Sequence, residues 1–154
     1  MNSGGPLVSV NIPCYRQLPL AKRAVQSILN QSLQDFEVTM LDDGASDDYR
    51  DWVASLGDRR VTYQRNATRL GAMLNMFSAV KAGRGRFTIA FHEDDLMGRH
   101  YLEAAAGILS AHPRCAFVAC TLRERQLPVA GDVDRDQRAA GVHDHSCGIT
   151  NGPL

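Results

Sequence analysis

Leu7 to Ile12 is β-rich and ends at Pro13, and Leu18, Ala21, Val25, Ile28 and Leu29 then recur at helical spacing. The same pairing of a short apolar run with an amphipathic segment repeats along the chain. Phe36 to Leu41 is followed by a helix-like stretch containing Trp52, Val53 and Leu56. Val61 to Gln64 reads as a third strand, after which Leu70, Met73, Leu74, Phe77 and Val80 trace one helical face. Phe87 to Phe91 is the fourth strand, Tyr101, Leu102, Ala105, Ile108 and Leu109 mark the next helix, and Ala116 to Cys120 is a fifth strand. Alternation of this kind predicts an α/β fold whose mostly parallel sheet is covered by helices on both faces.

Beyond Leu122 the pattern stops. Residues 123–154 are rich in charge, Gly and Pro and hold neither period, so an irregular, flexible tail is expected there after a domain spanning residues 1–122. That tail contains His143-Asp144-His145-Ser146-Cys147, a weak metal-binding signal against the background of a solvated segment.

Composition narrows the function classes. At 154 residues the chain suits one domain of ordinary size and is short for an enzyme that must build two substrate pockets. Seventeen basic residues balance seventeen acidic ones, which removes any global electrostatic case for nucleic acid or an anionic membrane, so phosphate binding has to be local. Cys14, Cys115, Cys120 and Cys147 lack paired zinc-site spacing and are expected to be reduced and mostly buried. No basic leader opens the chain and no apolar run approaches the ~20 residues that span a bilayer. A cytoplasmic location is expected, with peripheral attachment at a membrane left open.

In parallel α/β sheets ligands bind beyond the carboxyl ends of the strands. Three polar signatures fall at those ends: Pro13-Cys14-Tyr15, Asp42-Asp43-Gly44 and His92-Glu93-Asp94-Asp95. Clustered carboxylates repel one another and stay ionised only with water, hydrogen bonds or a cation. Mg2+ or Mn2+ is commonly held by one or two carboxylates together with substrate phosphates. The competing reading is that Asp94 or Asp95 simply caps the helix beginning near Arg99.

From Leu7 to Cys120 the chain resembles the N-terminal half of a family 2 glycosyltransferase with the Rossmann-like GT-A fold. The likeness is carried by Val8-Ser9-Val10-Asn11-Ile12-Pro13-Cys14-Tyr15, Ala24-Val25-Gln26-Ser27-Ile28-Leu29-Asn30-Gln31-Ser32, Asp35-Phe36-Glu37-Val38 and Asp42-Asp43-Gly44. Leu70-Gly71, Asn75, Gly85 and the acidic run complete the order. The resemblance implies a nucleotide-sugar site formed by Pro13, Tyr15, Asp43, His92 and Asp94. Tyr15 would lie against the base, and stacking of that kind is worth about 1–3 kcal/mol. Asp43 would accept a hydrogen bond from the base, which favours a UDP- or dTDP-sugar over a GDP-sugar. Asp94, with Asp95 as a second candidate ligand, would hold the divalent cation (Mg2+ or Mn2+) that bridges the donor diphosphate as a Lewis acid.

Several positions depart from the family pattern. His92 replaces the first aspartate of the Asp-x-Asp motif, Arg16 and Arg69 stand where Asn is common, and Ala45 replaces a frequent Ser. The acceptor pocket and the carboxylate base of the family come from the half after the metal motif, and nothing after Cys120 resembles it. No catalytic base is therefore assigned. Metal-dependent sugar transfer and a truncated, non-catalytic sugar-nucleotide binder are the two readings carried forward. Other nucleotide folds lack support, because no GxGxxG or Walker A sequence follows the first strand. An apolar surface left uncovered by the absent half is a further expectation.

Overall fold

The computed structural model describes residues 4–44, 46–119, 121–125 and 142–146, the last two stretches as backbone only. Four strands, β1 (Val8–Cys14), β2 (Phe36–Asp42), β3 (Val61–Arg65) and β4 (Phe87–Ala90), form a parallel sheet in the order β3-β2-β1-β4. Between them run α1 (Leu18–Leu29), α2 (Asp48–Leu56) and α3 (Ala72–Ala82), with α4 (Tyr101–Ala111) after β4. The expected α/β class and parallel sheet are what the molecule shows.

Strand β1 lies at the centre of this sheet, which explains its almost unbroken apolar run: Val10 and Ile12 have no exposed surface. The apolar stripe Ala21, Ala24, Val25 and Ile28 of α1 joins Val38 and Met40 of β2 in the same buried cluster. Cys14 pairs with Asp42 across β1 and β2, and Asn11 with Ala90 across β1 and β4, so the three polar strand ends emerge at one edge of the sheet.

Helix α3 departs from expectation. Met73, Leu74, Phe77 and Val80 share one helical face, yet they are 70%, 55%, 56% and 55% exposed, and Asn75 and Ala79 are the buried pair. Hydrogen bonds set this rotation: the Asn75 amide donates to the Leu41 carbonyl at 3.0 Å and accepts from the Asn66 amide at 3.0 Å. Small Ala79 then lets α3 lie close over β1 and β4.

The chain after α4 also differs. Residues 116–119 form no strand, and Cys120 lies outside the described residues. Ala116, Phe117 and Val118 instead line an apolar cavity of about 350 Å3 beside β4 and α4. Strands β6 (Thr121–Arg125) and β7 (Val142–Ser146) appear in the stretch expected to be irregular, antiparallel to each other. Strand β7 also pairs in parallel with the two-residue β5 (Leu96–Met97), which the sequence pattern did not signal. Neither Thr121–Arg125 nor Val142–Ser146 alternates apolar with polar residues strongly, so their pairing rests on partners distant in sequence. Residues 126–141 and 147–154, Cys147 included, lie outside the described residues. Of the other cysteines, Cys14 is buried as expected and Cys115 is exposed.

Candidate functional site

Pro13 and Cys14 end β1, and the turn after it carries Tyr15 and Arg16. Tyr15 is half-buried, and two guanidinium groups lie over its ring, Arg69 at 4.5 Å and Arg16 at 5.1 Å from the centroid. Arg16 adopts φ 59, the left-handed region that Asn tolerates better than other non-glycine residues, which accounts physically for the usual Asn there.

Asp42 and Asp43 end β2 with different tasks. Asp42 is fully buried; its carboxylate accepts from the Tyr63 hydroxyl at 2.6 Å, Arg65 Nε at 3.3 Å and the Gly44 N–H at 3.1 Å. Gly44, at φ 85, supplies the left-handed bend. Asp42 thus orients the turn. Burial and then the short bond to Asp42 push the Tyr63 hydroxyl up to about 12.

Asp43 reaches over to the segment following β3. Its Oδ1 accepts from the Leu70 N–H at 2.7 Å and the Asn66 amide at 3.0 Å, and its Oδ2 from the Gly71 N–H at 2.8 Å. Burial alone would raise this carboxyl, but these donors and the nearby Arg69 charge outweigh it and hold Asp43 below its ordinary value. A carboxylate has about four lone-pair directions, and these three donors among the described residues occupy three of them on a buried side chain.

The acidic run is a turn between β4 and β5, closed by the Asp95 N–H to the His92 carbonyl at 3.3 Å. Helix α4 begins only at Tyr101, its N-cap is His100, and no side chain caps it, so neither Asp94 nor Asp95 serves as the cap. His92 is exposed, Asp94 half-buried and Asp95 buried. Glu93 turns inward, taking the Tyr15 N–H at 2.8 Å on Oε1 and the Tyr49 hydroxyl at 2.5 Å on Oε2. Burial raises its carboxyl despite those two donors, and Asp94 and Asp42 add to the rise.

The C-terminal part of α1 holds the far side of this turn. Ser27 Oγ accepts from the Met97 N–H at 2.9 Å, and the Gln31 amide donates to the Gly98 carbonyl at 2.7 Å while accepting from the Leu102 N–H at 3.0 Å. The helix text Gln26 to Ser32 therefore matters to the site through the segment that follows the acidic run. The parts of this arrangement missed from sequence are Glu93, Tyr49, Asn66 and Arg69. Glu93 stood unassigned within the acidic run, Tyr49 carried no sequence signal of a site, and Asn66 and Arg69 lie in an aperiodic loop that assigned them no partner.

The donor set is compatible with a cation brought by a phosphate ligand. Among the described residues no group of three or more His, Cys, Asp or Glu side chains comes together to hold an ion. Within the acidic run Glu93 is engaged by Tyr15 and Tyr49, and one or two carboxylates completed by phosphate and water suit Mg2+ or Mn2+.

Solved structures of the same architecture are GT-A glycosyltransferases. The mannosyltransferase PcManGT from Pyrobaculum calidifontis, solved with GDP-Man and Mn2+, aligns with a TM-score of 0.59 at 23% identity over 70% of this chain and 33% of its own. Residues 1–349 of Staphylococcus aureus TarS, solved with UDP-GlcNAc, align with a TM-score of 0.62 at 18% identity over 82% of this chain and 37% of that one. The sequence model of glycosyl transferase family 2 matches residues 9–134, and the chain belongs to that family. An uncharacterized protein of Mycobacterium tuberculosis is 32% identical over 93% of this chain and 43% of its own length. A Campylobacter jejuni GalNAc(5)-diNAcBac-PP-undecaprenol beta-1,3-glucosyltransferase is 31% identical over 58% of this chain and 30% of its own. The chain thus spans 43% and 30% of the length of these two relatives. Of these two neighbours, one was solved with GDP-Man and Mn2+ and the other with UDP-GlcNAc. Among the described residues no helix is long and apolar enough to cross a membrane.

Proposed function

We propose that this chain is the donor-binding part of a sugar transferase, holding a nucleotide-sugar through a divalent cation. The convergence of Tyr15, Asp43 and Asp94 at one edge of a parallel sheet carries this reading. Tyr15 and Arg69 form an aromatic and cationic wall for the base and its diphosphate. The Asp43 carboxylate, an acceptor only, favours a base with an outward N–H, as in a UDP- or dTDP-sugar. Asp94, supported by Asp95, holds Mg2+ or Mn2+ against the diphosphate, where the ion offsets charge developing on the leaving group. Pro13 shapes the turn below the base, and His92 is exposed beside the phosphate position.

A second reading is a sugar-nucleotide binder without turnover. Among the described residues no carboxylate is assigned as the base that would deprotonate an acceptor. Calorimetric titration with uridine, thymidine and guanosine diphosphates, with and without Mn2+, tests both. Metal-dependent binding that Asp94→Ala abolishes supports the site, and hydrolysis or transfer of the bound donor separates the transferase from the binder. No binding of any diphosphate refutes both readings.

A further inference from the structure

Glu93 sits in the middle of the acidic run, yet its side chain is buried and bonded within the protein. Its two oxygens are divided between different elements: Oε1 takes the Tyr15 N–H at 2.8 Å and Oε2 takes the Tyr49 hydroxyl at 2.5 Å. The Tyr49 oxygen in turn accepts the Gln17 N–H at 2.8 Å. Tyr49 is 1% exposed and Glu93 8%, so this chain of bonds is shielded from water. The residues come from the turn after β1, the first turn of α2 and the turn after β4, separated by 32 to 78 positions in sequence.

Two backbone donors that flank Tyr15, its own N–H and that of Gln17, therefore depend on one buried pair. Gln17 is also the N-cap of α1, where its side chain caps nothing, so Tyr49 takes over a donor that the helix start leaves free. Burial, followed by the bond to Glu93, pushes the Tyr49 hydroxyl far above its ordinary value, and it stays a donor throughout the working range. Removing either partner would orphan buried polar groups, which is costlier than losing an exposed contact.

We infer that Glu93 and Tyr49 are positioning residues for donor recognition: they clamp the Tyr15–Gln17 backbone to the acidic turn and so set the Tyr15 ring for the nucleobase. This rests on the proposed nucleotide-sugar site. The clamp also makes the base side and the phosphate side of the site one unit, because Glu93 and Asp94 are consecutive. Its reach is specific. Its bonds end on the backbone N–H groups of Tyr15 and Gln17 and not on Asp94.

The test uses the full chain with Tyr49→Phe, which keeps the ring and its packing, and Glu93→Gln and Glu93→Met, which keep or remove an acceptor at similar volume. UDP in the presence of Mn2+ and Mn2+ with inorganic pyrophosphate, which lacks the base, are titrated into each variant and the parent. The expected result is that Tyr49→Phe and Glu93→Met weaken UDP about tenfold, leave pyrophosphate within twofold, and that Glu93→Gln recovers most of the UDP affinity. Amide exchange at Tyr15 and Gln17 should accelerate in Tyr49→Phe relative to the centre of β1. UDP affinity within twofold of the parent in Tyr49→Phe, or equal weakening of UDP and pyrophosphate, overturns the inference while leaving the donor site standing. A parent that binds neither UDP nor pyrophosphate refutes the donor site itself, and the inference with it.

Discussion

Replacing Asp43 with Asn tests whether this carboxylate is the latch between β2 and the segment after β3. In the parent, three donors converge on it, the N–H groups of Leu70 and Gly71 and the Asn66 amide, at 2.7, 2.8 and 3.0 Å. Hydrogen bonds to a charged acceptor contribute about 1.5–3 kcal/mol each, against about 0.5–1.5 for neutral pairs. Asn retains one carbonyl oxygen and turns an NH2 group toward a backbone N–H, so at least one bond is lost and the others weaken. A net cost of about 3 kcal/mol follows, once partial relaxation of the loop is allowed. For a chain of this length that corresponds to a fall in Tm of about 6–12 °C.

The pH dependence carries a sign. The Asp43 carboxyl is held below its ordinary value in the folded protein, so its contribution is present above the unfolded value near 3.9 and is lost as pH falls through the lower folded value. Urea unfolding of parent and Asp43→Asn at pH 7 and at steps down to pH 3 measures this directly. The gap between them should be largest at neutral pH and shrink below about pH 4. A gap under about 0.5 kcal/mol at pH 7, or one that does not shrink in acid, would refute the latch.

Three further variants probe separate features. Among the described residues neither polar atom of the buried Asn11 side chain has a hydrogen-bond partner, so Asn11→Val should raise stability by about 1–2 kcal/mol in urea unfolding, and a loss would reveal a partner for the amide. Arg16 sits at φ 59, and Arg16→Asn should gain about 0.5–1 kcal/mol by relieving that conformation, measured by the shift in Tm; a fall would mean that its stacking on Tyr15 outweighs the strain. Met73, Leu74, Phe77 and Val80 leave an apolar face of α3 exposed, so the double change Met73→Glu with Phe77→Gln should reduce self-association in sedimentation velocity at a stability cost within about 0.5 kcal/mol. A larger destabilisation would show that the face is packed.

Strands β1 and β2 were legible because the centre of a parallel sheet buried on both faces demands apolar runs, and Val8 to Ile12 or Phe36 to Leu41 has no other use for them. The edge at which Tyr15, Asp43 and the acidic run meet was legible too, since parallel strands place all their carboxyl ends together. What escaped was set by hydrogen bonds that periodicity does not record. Asn75 turned α3 so that its most apolar positions face outward, and Glu93, one carboxylate among several, proved to serve the backbone of Tyr15. Strands β5 and β7 pair 48 residues apart in sequence at Leu96 and Asp144, beyond the reach of any local pattern.

The central claim is that Tyr15, Asp43 and Asp94 form one metal-assisted nucleotide-sugar site. Calorimetric titration of UDP into the parent and Asp94→Ala, each with and without Mn2+, tests it most directly. The account predicts saturable binding to the parent that strengthens at least tenfold with Mn2+, a gain of about 1.4 kcal/mol or more, and no such gain in Asp94→Ala. Binding to the parent that ignores Mn2+, or an Mn2+ gain that survives in Asp94→Ala, would contradict it.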